Sequence, residues 1–278
     1  MMMRFIDIDE NWSVDRIEQE FSGQLEVITK EEELRSGYNG HASVSNEVLS
    51  ASFDLEVGER KLLYYTLSRL NSSLELEPNV EFDIDVKEYA ALLGIPYKTA
   101  WASIKRTMDT IFKKYITFKE LNGKNSVTKM PWLKVITYNE TTGKISIVWN
   151  DSLLPHISKL GKDKLFTRLV NKESLSLKSK YSARLYELLS QQRWKSKEGT
   201  VVIAIDELAF RWQLPESRTS FPVLKQKVLQ PAIEELKNKK VVDIKLKIPN
   251  CGKLNKKVIK VEFEFAFETF MSEYGLSK

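Results

Sequence analysis

One order of elements is written twice along this chain, and that repeat limits the fold more than any other feature. In the first half, an apolar-faced helix is expected over Glu59–Leu70, with Leu62, Leu63, Tyr65, Leu67 and Leu70. It is followed by the strand Phe82–Asp85, a short helix Val86–Ile95 that ends at Gly94 and Pro96, a longer helix Tyr97–Tyr115, and period-2 strands around turns. The second half repeats the order: a helix over Lys180–Trp194, a strand Val201–Ile205, two helices, and a hairpin. Tyr65 aligns with Tyr186, Tyr89 with Leu208 and Ile104 with Leu224. The offset of about 120 residues is too long for a solenoid unit and fits a small domain.

The stretch Ile205–Phe265 gives the repeat its chemistry. Asp206 can cap a short helix whose apolar side is Leu208, Ala209 and Trp212. The polar segment PESRTS, with Pro215, breaks it. Phe221, Leu224, Val228, Ala232 and Leu236 then form a core-facing stripe on a second helix. Pro222 falls in its first turn, where a missing N–H costs little. Pro231 lies inside and should kink the helix unless the break is absorbed locally. Two helices around a short turn, followed by a hairpin, give a helix-turn-helix with a wing. The outward face carries Thr219, Ser220, Val223, Gln226, Lys227 and Gln230, with Arg218 ahead and Lys225 on the flank. Amides can pair with adenine and cations with guanine. Lys253, Lys256 and Lys257 on the wing tip can reach phosphates. Two readings stay open for this face: a DNA reader, or an amphipathic helix with solvated charges.

The expected fold is therefore α+β, two tandem winged-helix domains. The expected boundaries are an acidic leader over 1–45, a first domain over 46–155, a connecting segment over 156–178 and a second domain over 179–270. The leader reads as solvated, or as a regulatory arm that competes with DNA for basic surface. In the first domain the outward face of the longer helix carries Thr99, Ser103, Arg106 and Thr110, with Lys98, Lys105 and Lys113 beside it. Its wing would carry Lys119, Lys124 and Lys129. That face suits auxiliary DNA contact or a dimer surface.

The rest of the chain narrows the function. Charged residues make up 29% and the net charge is +5, which is compatible with a polyanion partner. Cys251 is the only cysteine, so no internal disulfide forms, and a reducing cytoplasm is the expected compartment. No apolar run reaches the roughly 18 residues of a membrane helix, and no secretory signal is visible. His41 and His156, the only histidines, are far apart in sequence, so neither a metal pair nor a Ser-His-Asp arrangement is supported. No GxxxxGK[ST] loop occurs. Trp132, Trp149, Trp194 and Trp212 are expected to fill cores. The expectation is a protein with no catalytic site, no metal and no cofactor.

Several segments together resemble the theta-type plasmid replication initiators, the Rep proteins that bind repeated origin sites called iterons. They are SNEVLSASFDLEVGERKLLYYTLSRL, FDIDVKEYAALLGI with YKTAWASIKR, WNDSLLPHI, SLKSKYSARLYELLSQ, and VLKQKVLQPAIEELKNK followed by KVIKVEFEF. The resemblance runs from about Ser45 to Phe267 and does not cover the acidic leader. It implies tandem winged helices, with the second domain reading one part of the iteron and the first contacting the rest or holding a homodimer. It implies that monomers initiate, that dimers repress their own promoter, and that the host initiator ATPase and replicative helicase are partners. The mechanism implied is non-enzymatic: bound copies strain a neighbouring A+T-rich duplex until it opens. The alternatives are a winged-helix transcription regulator with no replication role and, further off, a nuclease or relaxase.

Overall fold

The computed structural model describes residues 40–120, 126–139, 142, 144–160, 165–250, 253–254 and 257–271. Nearly all of the expected leader, and Lys124, Cys251 and Lys256, lie outside the described residues. The first half holds β1 (His41–Ser45), α1 (Asn46–Ser50), α2 (Val57–Ser68), β2 (Glu81–Ile84), α3 (Val86–Leu93) and α4 (Tyr97–Ile111). It continues with β3 (Tyr115–Lys119), β4 (Val127–Pro131), β5 (Leu133–Asn139) and β6 (Lys144–Trp149). Then come α5 (Leu154–Ile157), β7 (Phe166–Val170), α6 (Asn171–Ser174) and α7 (Lys180–Ser190). The second half holds β8 (Glu198–Ala204), α8 (Ile205–Arg211) and a long helix, α9. It closes with β9 (Val242–Lys247), the short pair β10 (Lys253–Leu254) and β11 (Lys257–Val258), and β12 (Lys260–Phe267). Helix α9 is built from the α-helix Phe221–Leu224, a π turn Lys225–Leu229 and the α-helix Gln230–Asn238.

The two halves share one sheet topology. Their strand orders are β2-β6-β5 and β8-β12-β9, so in each half the strand before the helix pair lies against the last strand of the hairpin. Alternation sets which face is buried: along β12, Val261, Phe263, Phe265 and Phe267 point inward. Phe263, fully buried, pairs with Val201 and Leu246. Burying one such ring contributes about 1.5–3 kcal/mol. Local signals end the helices where the sequence suggests. Asp85 caps α3 by accepting from the backbone N–H groups of Lys87 and Glu88, both at 2.9 Å. Gly94 closes that helix in the left-handed region at φ 64°.

Pro231 does not end α9: the helix runs on through a π turn, Lys225–Leu229, into the α-helix Gln230–Asn238. It has no N–H to give the carbonyl four residues back, and its ring would clash there. The helix widens just before it, and the Gln230 N–H reaches back five residues to Lys225 O. Val228 and Leu229 are both buried within that turn, so the apolar stripe is kept on both sides of the proline.

Several expectations need correction. Residues 41–45, inside the expected leader, form β1, which pairs antiparallel with β7 inside the expected connecting segment, from His41 opposite Val170 to Ser45 opposite Phe166. The described part of the 156–178 stretch is therefore packed structure rather than a linker. In the first half the strand pair equivalent to the second domain's wing is β5–β6, whereas β3–β4 is an additional hairpin. Helix α4 ends at Ile111, and Tyr115, expected as its last residue, is exposed at the start of β3. Asp206 does not cap α8. Ala204 holds the cap position, and Asp206 lies in the first turn, where its charge still favours the positive end of the helix dipole. Trp132, Trp149 and Trp212 fill cores as expected, but Trp194 is 43% exposed beyond the end of α7.

Helix α7 joins the halves. Every residue from Ser182 to Ser190 is buried, including Arg184 and Glu187. A helix buried on all sides needs its charges paired. Glu187 accepts from Arg60 and Tyr64 of α2 and, at 2.8 Å, from Arg184 one turn back.

Candidate nucleic-acid interface

In the second half, the turn between α8 and α9 contains a 3-10 turn, Glu216–Arg218. Thr219 Oγ1 donates to Glu216 O at 2.8 Å, so its hydroxyl closes this turn. Arg218 donates to the Tyr181 hydroxyl at 2.8 Å, and Tyr181 stacks on Trp212 at 6.3 Å. The guanidinium is thereby held half-buried against α7 rather than extended freely into solvent. Ser220 occupies the cap position of α9 without making a side-chain cap bond, and it is exposed. Its hydroxyl and the first N–H groups of the helix are open to an outside acceptor.

Further along α9, Lys225, Gln226, Lys227 and Gln230 are all exposed, and their side chains take part in no hydrogen bond or ion pair among the described residues. Three of the four sit on the π turn, so the widening forced by Pro231 shapes this face directly. Two amides and two cations without intramolecular partners can donate and accept along a line of base edges or phosphates. On the wing, Lys253 pairs with Val258 and Leu254 with Lys257 across the strands. Lys257 is exposed. Lys256 lies outside the described residues.

The first half presents a comparable but more constrained face. Lys98, Thr99 and Arg106 on α4 are exposed and Ser103 is half-buried. The later part of α4 is tied to β5: the Tyr138 hydroxyl donates to Lys105 O at 3.1 Å and to Asp109 at 3.0 Å, and Lys105 Nζ lies 5.5 Å from the Tyr138 ring centre. Burial, followed by the Asp109 carboxylate, pushes the Tyr138 phenol above its usual range. Sequence reasoning missed Tyr97, a 44% exposed aromatic at the start of α4, and Lys144 on β6 beside the true wing turn. Its position directly after Pro96 was the only available signal for Tyr97. Lys119, expected on a wing, instead sits 3.7 Å from the ring centre of Phe210 in α8. The hairpin that carries it faces the second half of the chain.

Among the described residues no group of three or more His, Cys, Asp or Glu is placed to hold a metal ion. Among them, too, no helix is long and apolar enough to cross a membrane.

Comparison with known proteins agrees with this layout. The family described as Initiator Replication protein, WH1 matches residues 42–190, and Initiator Rep protein, WH2 matches residues 204–265. The chain is 27% identical over 249 residues to the PI protein of Escherichia coli, covering 80% of this chain and 81% of that one. It is 24% identical over 200 residues to a replication initiation protein of Escherichia coli, covering 69% of this chain and 60% of the relative. The crystal structure of Pi initiator protein in complex with iteron DNA superposes with a TM-score of 0.68 at 24% sequence identity, covering 83% of this chain and 98% of that one. One of these relatives is named a replication initiation protein, and the solved structure an initiator protein. The WH1 match alone spans more than half of the chain, and the WH2 match falls on the second helix pair and its hairpin, so the chain belongs to the initiator replication protein family, built as two winged-helix domains in tandem.

Proposed function

We propose that this protein is a plasmid replication initiator that binds iterons, repeated double-stranded sites at its origin, and opens the neighbouring duplex. The observation that carries the reading is the unpartnered polar face of α9, Lys225, Gln226, Lys227 and Gln230, beside the lysines of the wing. The family match supports it, and so does the fold shared with an initiator solved on iteron DNA. In this reading the second domain is the main reader, with Arg218, Thr219 and Ser220 at the helix start. Lys98, Thr99, Ser103 and Arg106 of the first domain add auxiliary contacts. Wing and turn cations place the protein on phosphates, and the α9 amides and cations select bases. Bound copies deform the DNA and lower the cost of melting an adjacent A+T-rich segment. Monomers initiate, first-domain homodimers repress the protein's own promoter, and the host initiator ATPase and replicative helicase join the opened origin in the cytoplasm.

DNase footprinting on the region around the gene tests this, with permanganate probing of unpaired thymines in the same reactions. The reading expects protection of several repeats of about two helical turns, of about 10.5 base pairs each, and reactive thymines in the flanking A+T-rich segment. Protection of one promoter site with no repeats and no reactive thymines would favour a transcription regulator instead.

A further inference from the structure

The end of α8 is a place where the two domains are joined through the hydrogen bonds of a buried side chain. Its last carbonyl, Arg211 O, accepts from Arg184 Nη2 at 2.7 Å and from the backbone N–H of Phe53 in the first domain at 3.5 Å. The same Arg184 nitrogen donates to Ala51 O at 3.0 Å, and the guanidinium lies 4.2 Å from the Phe53 ring centre. Arg184 is 3% exposed and is oriented by Glu187 at 2.8 Å. One buried guanidinium therefore bonds to backbone carbonyls of both domains. It also places a cation at the negative end of α8, where orphan carbonyls need donors. Beside it, Lys119 on the additional hairpin covers Phe210, and that hairpin is tied to the 51–53 segment by the Ser52–Thr117 bridge.

Helix α8 leads directly into the turn before α9. We infer that Arg184 is a positioning residue that fixes the second domain's reader in one phase relative to the first domain, so that the two parts of a DNA site are recognised as a single unit of set spacing. The inference rests on the proposed DNA-reading role. Arg184 touches no base in this scheme. Its fork geometry, bonding two carbonyls and one carboxylate at once, is one that lysine cannot reproduce.

The test uses the full-length protein and three duplexes: one complete repeat, the same repeat with one base pair inserted between the segments protected by the two domains, and a duplex holding only the second domain's segment. One inserted base pair rotates the segments by about a tenth of a turn. The wild type should lose about tenfold or more in affinity on the spaced duplex, an amount equal to one or two lost contacts. Arg184→Lys should bind the short duplex within about twofold of wild type and show a spacing penalty reduced to about twofold. A purely structural defect would lower binding to all three duplexes together and leave the penalty intact. If Arg184→Lys does not fold, Lys119→Ala, an exposed position on the same junction, carries the test and should reduce the penalty in part. A full penalty in the folded variant overturns the inference, as does a wild type that is indifferent to spacing. A wild type that protects no repeat at all overturns the initiator reading, and this inference with it.

Discussion

Replacing Glu187 with alanine should be among the most destabilising single changes in the chain. The carboxylate is 1% exposed and answers two guanidiniums, Arg60 and Arg184, and the Tyr64 hydroxyl. Attraction between buried ions barely offsets the cost of taking them out of water, so the intact cluster adds little net stability. Removing the one anion is different, because it leaves two buried cations with no counter-charge. The expected loss is about 3–5 kcal/mol, the range for breaking a buried pair from one side. For a chain of this size that lowers the melting temperature by roughly 6–20 °C, at about 2–4 °C per kcal/mol. Urea unfolding followed by tryptophan fluorescence reads it directly, because Trp132, Trp149 and Trp212 are buried. Replacing Arg60, Arg184 and Glu187 together by apolar residues of similar volume should recover much of the loss. A Glu187→Ala midpoint that corresponds to less than about 1 kcal/mol would refute the reasoning, since a cost that small belongs to solvated surface pairs.

Alkaline pH should unfold the protein early. Burial raises the phenols of Tyr64, Tyr65 and Tyr89 above their ordinary value of 10.0, with Glu187 and Glu88 adding to it at Tyr64 and Tyr65. The folded state holds those protons after the unfolded chain has lost them, so stability is intact below pH 10 and falls as pH rises above it, by about 1.4 kcal/mol per pH unit per phenol. Tyr89→Phe should flatten that fall, because burial alone shifts Tyr89, and an unchanged slope would contradict the assignment. Gly199→Ala should cost about 1–3 kcal/mol, since a Cβ there would lie 2.9 Å from Phe265 Cζ in a packed core, and Phe265→Leu in the same chain should restore part of it. Lys257→Ala should weaken specific and scrambled DNA about equally and lower the salt slope by roughly one, as expected for one lost phosphate contact. A change in sequence preference would instead place Lys257 on a base.

Much of this fold is legible in local pattern. The stripe through Leu224, Val228, Ala232 and Leu236, the alternation along β12, and Asp85 and Gly94 around α3 each follow from spacing or backbone chemistry confined to a few residues. The pairing of β1 with β7 is not local. HASVS and FTRLV are short, lie far apart in sequence, and become strands because each supplies the other's hydrogen bonds. The two candidate wings of the first domain look alike as sequence, and only pairing with β2 distinguishes β5–β6 from β3–β4. The candidate reader face could be listed from helical periodicity, because what faces away from a stripe is exposed. Which members are free could not. Thr219 is engaged by Glu216 O within its own turn, and Arg218 by Tyr181 and Lys119 by Phe210 through tertiary contacts that leave no periodic trace. The π turn is half legible: Pro231 signals a break in the hydrogen-bond ladder, but only the packed stripe on both sides of it shows that the helix continues through a widened turn.

The central claim is that α9 reads bases. It is tested most directly by titrating Gln226→Ala and Lys227→Ala, alongside wild type, on one repeat and on scrambled DNA at several salt concentrations. Both side chains are exposed and unpartnered on the π turn, so either change should leave the fold intact. The account predicts a loss of about 1–3 kcal/mol on the repeat for a residue that makes a bidentate base contact, with little change on scrambled DNA and therefore a lower specificity ratio. If both variants keep both affinities and their ratio, α9 does not read the sequence, and the assignment of the second domain as the reader is wrong.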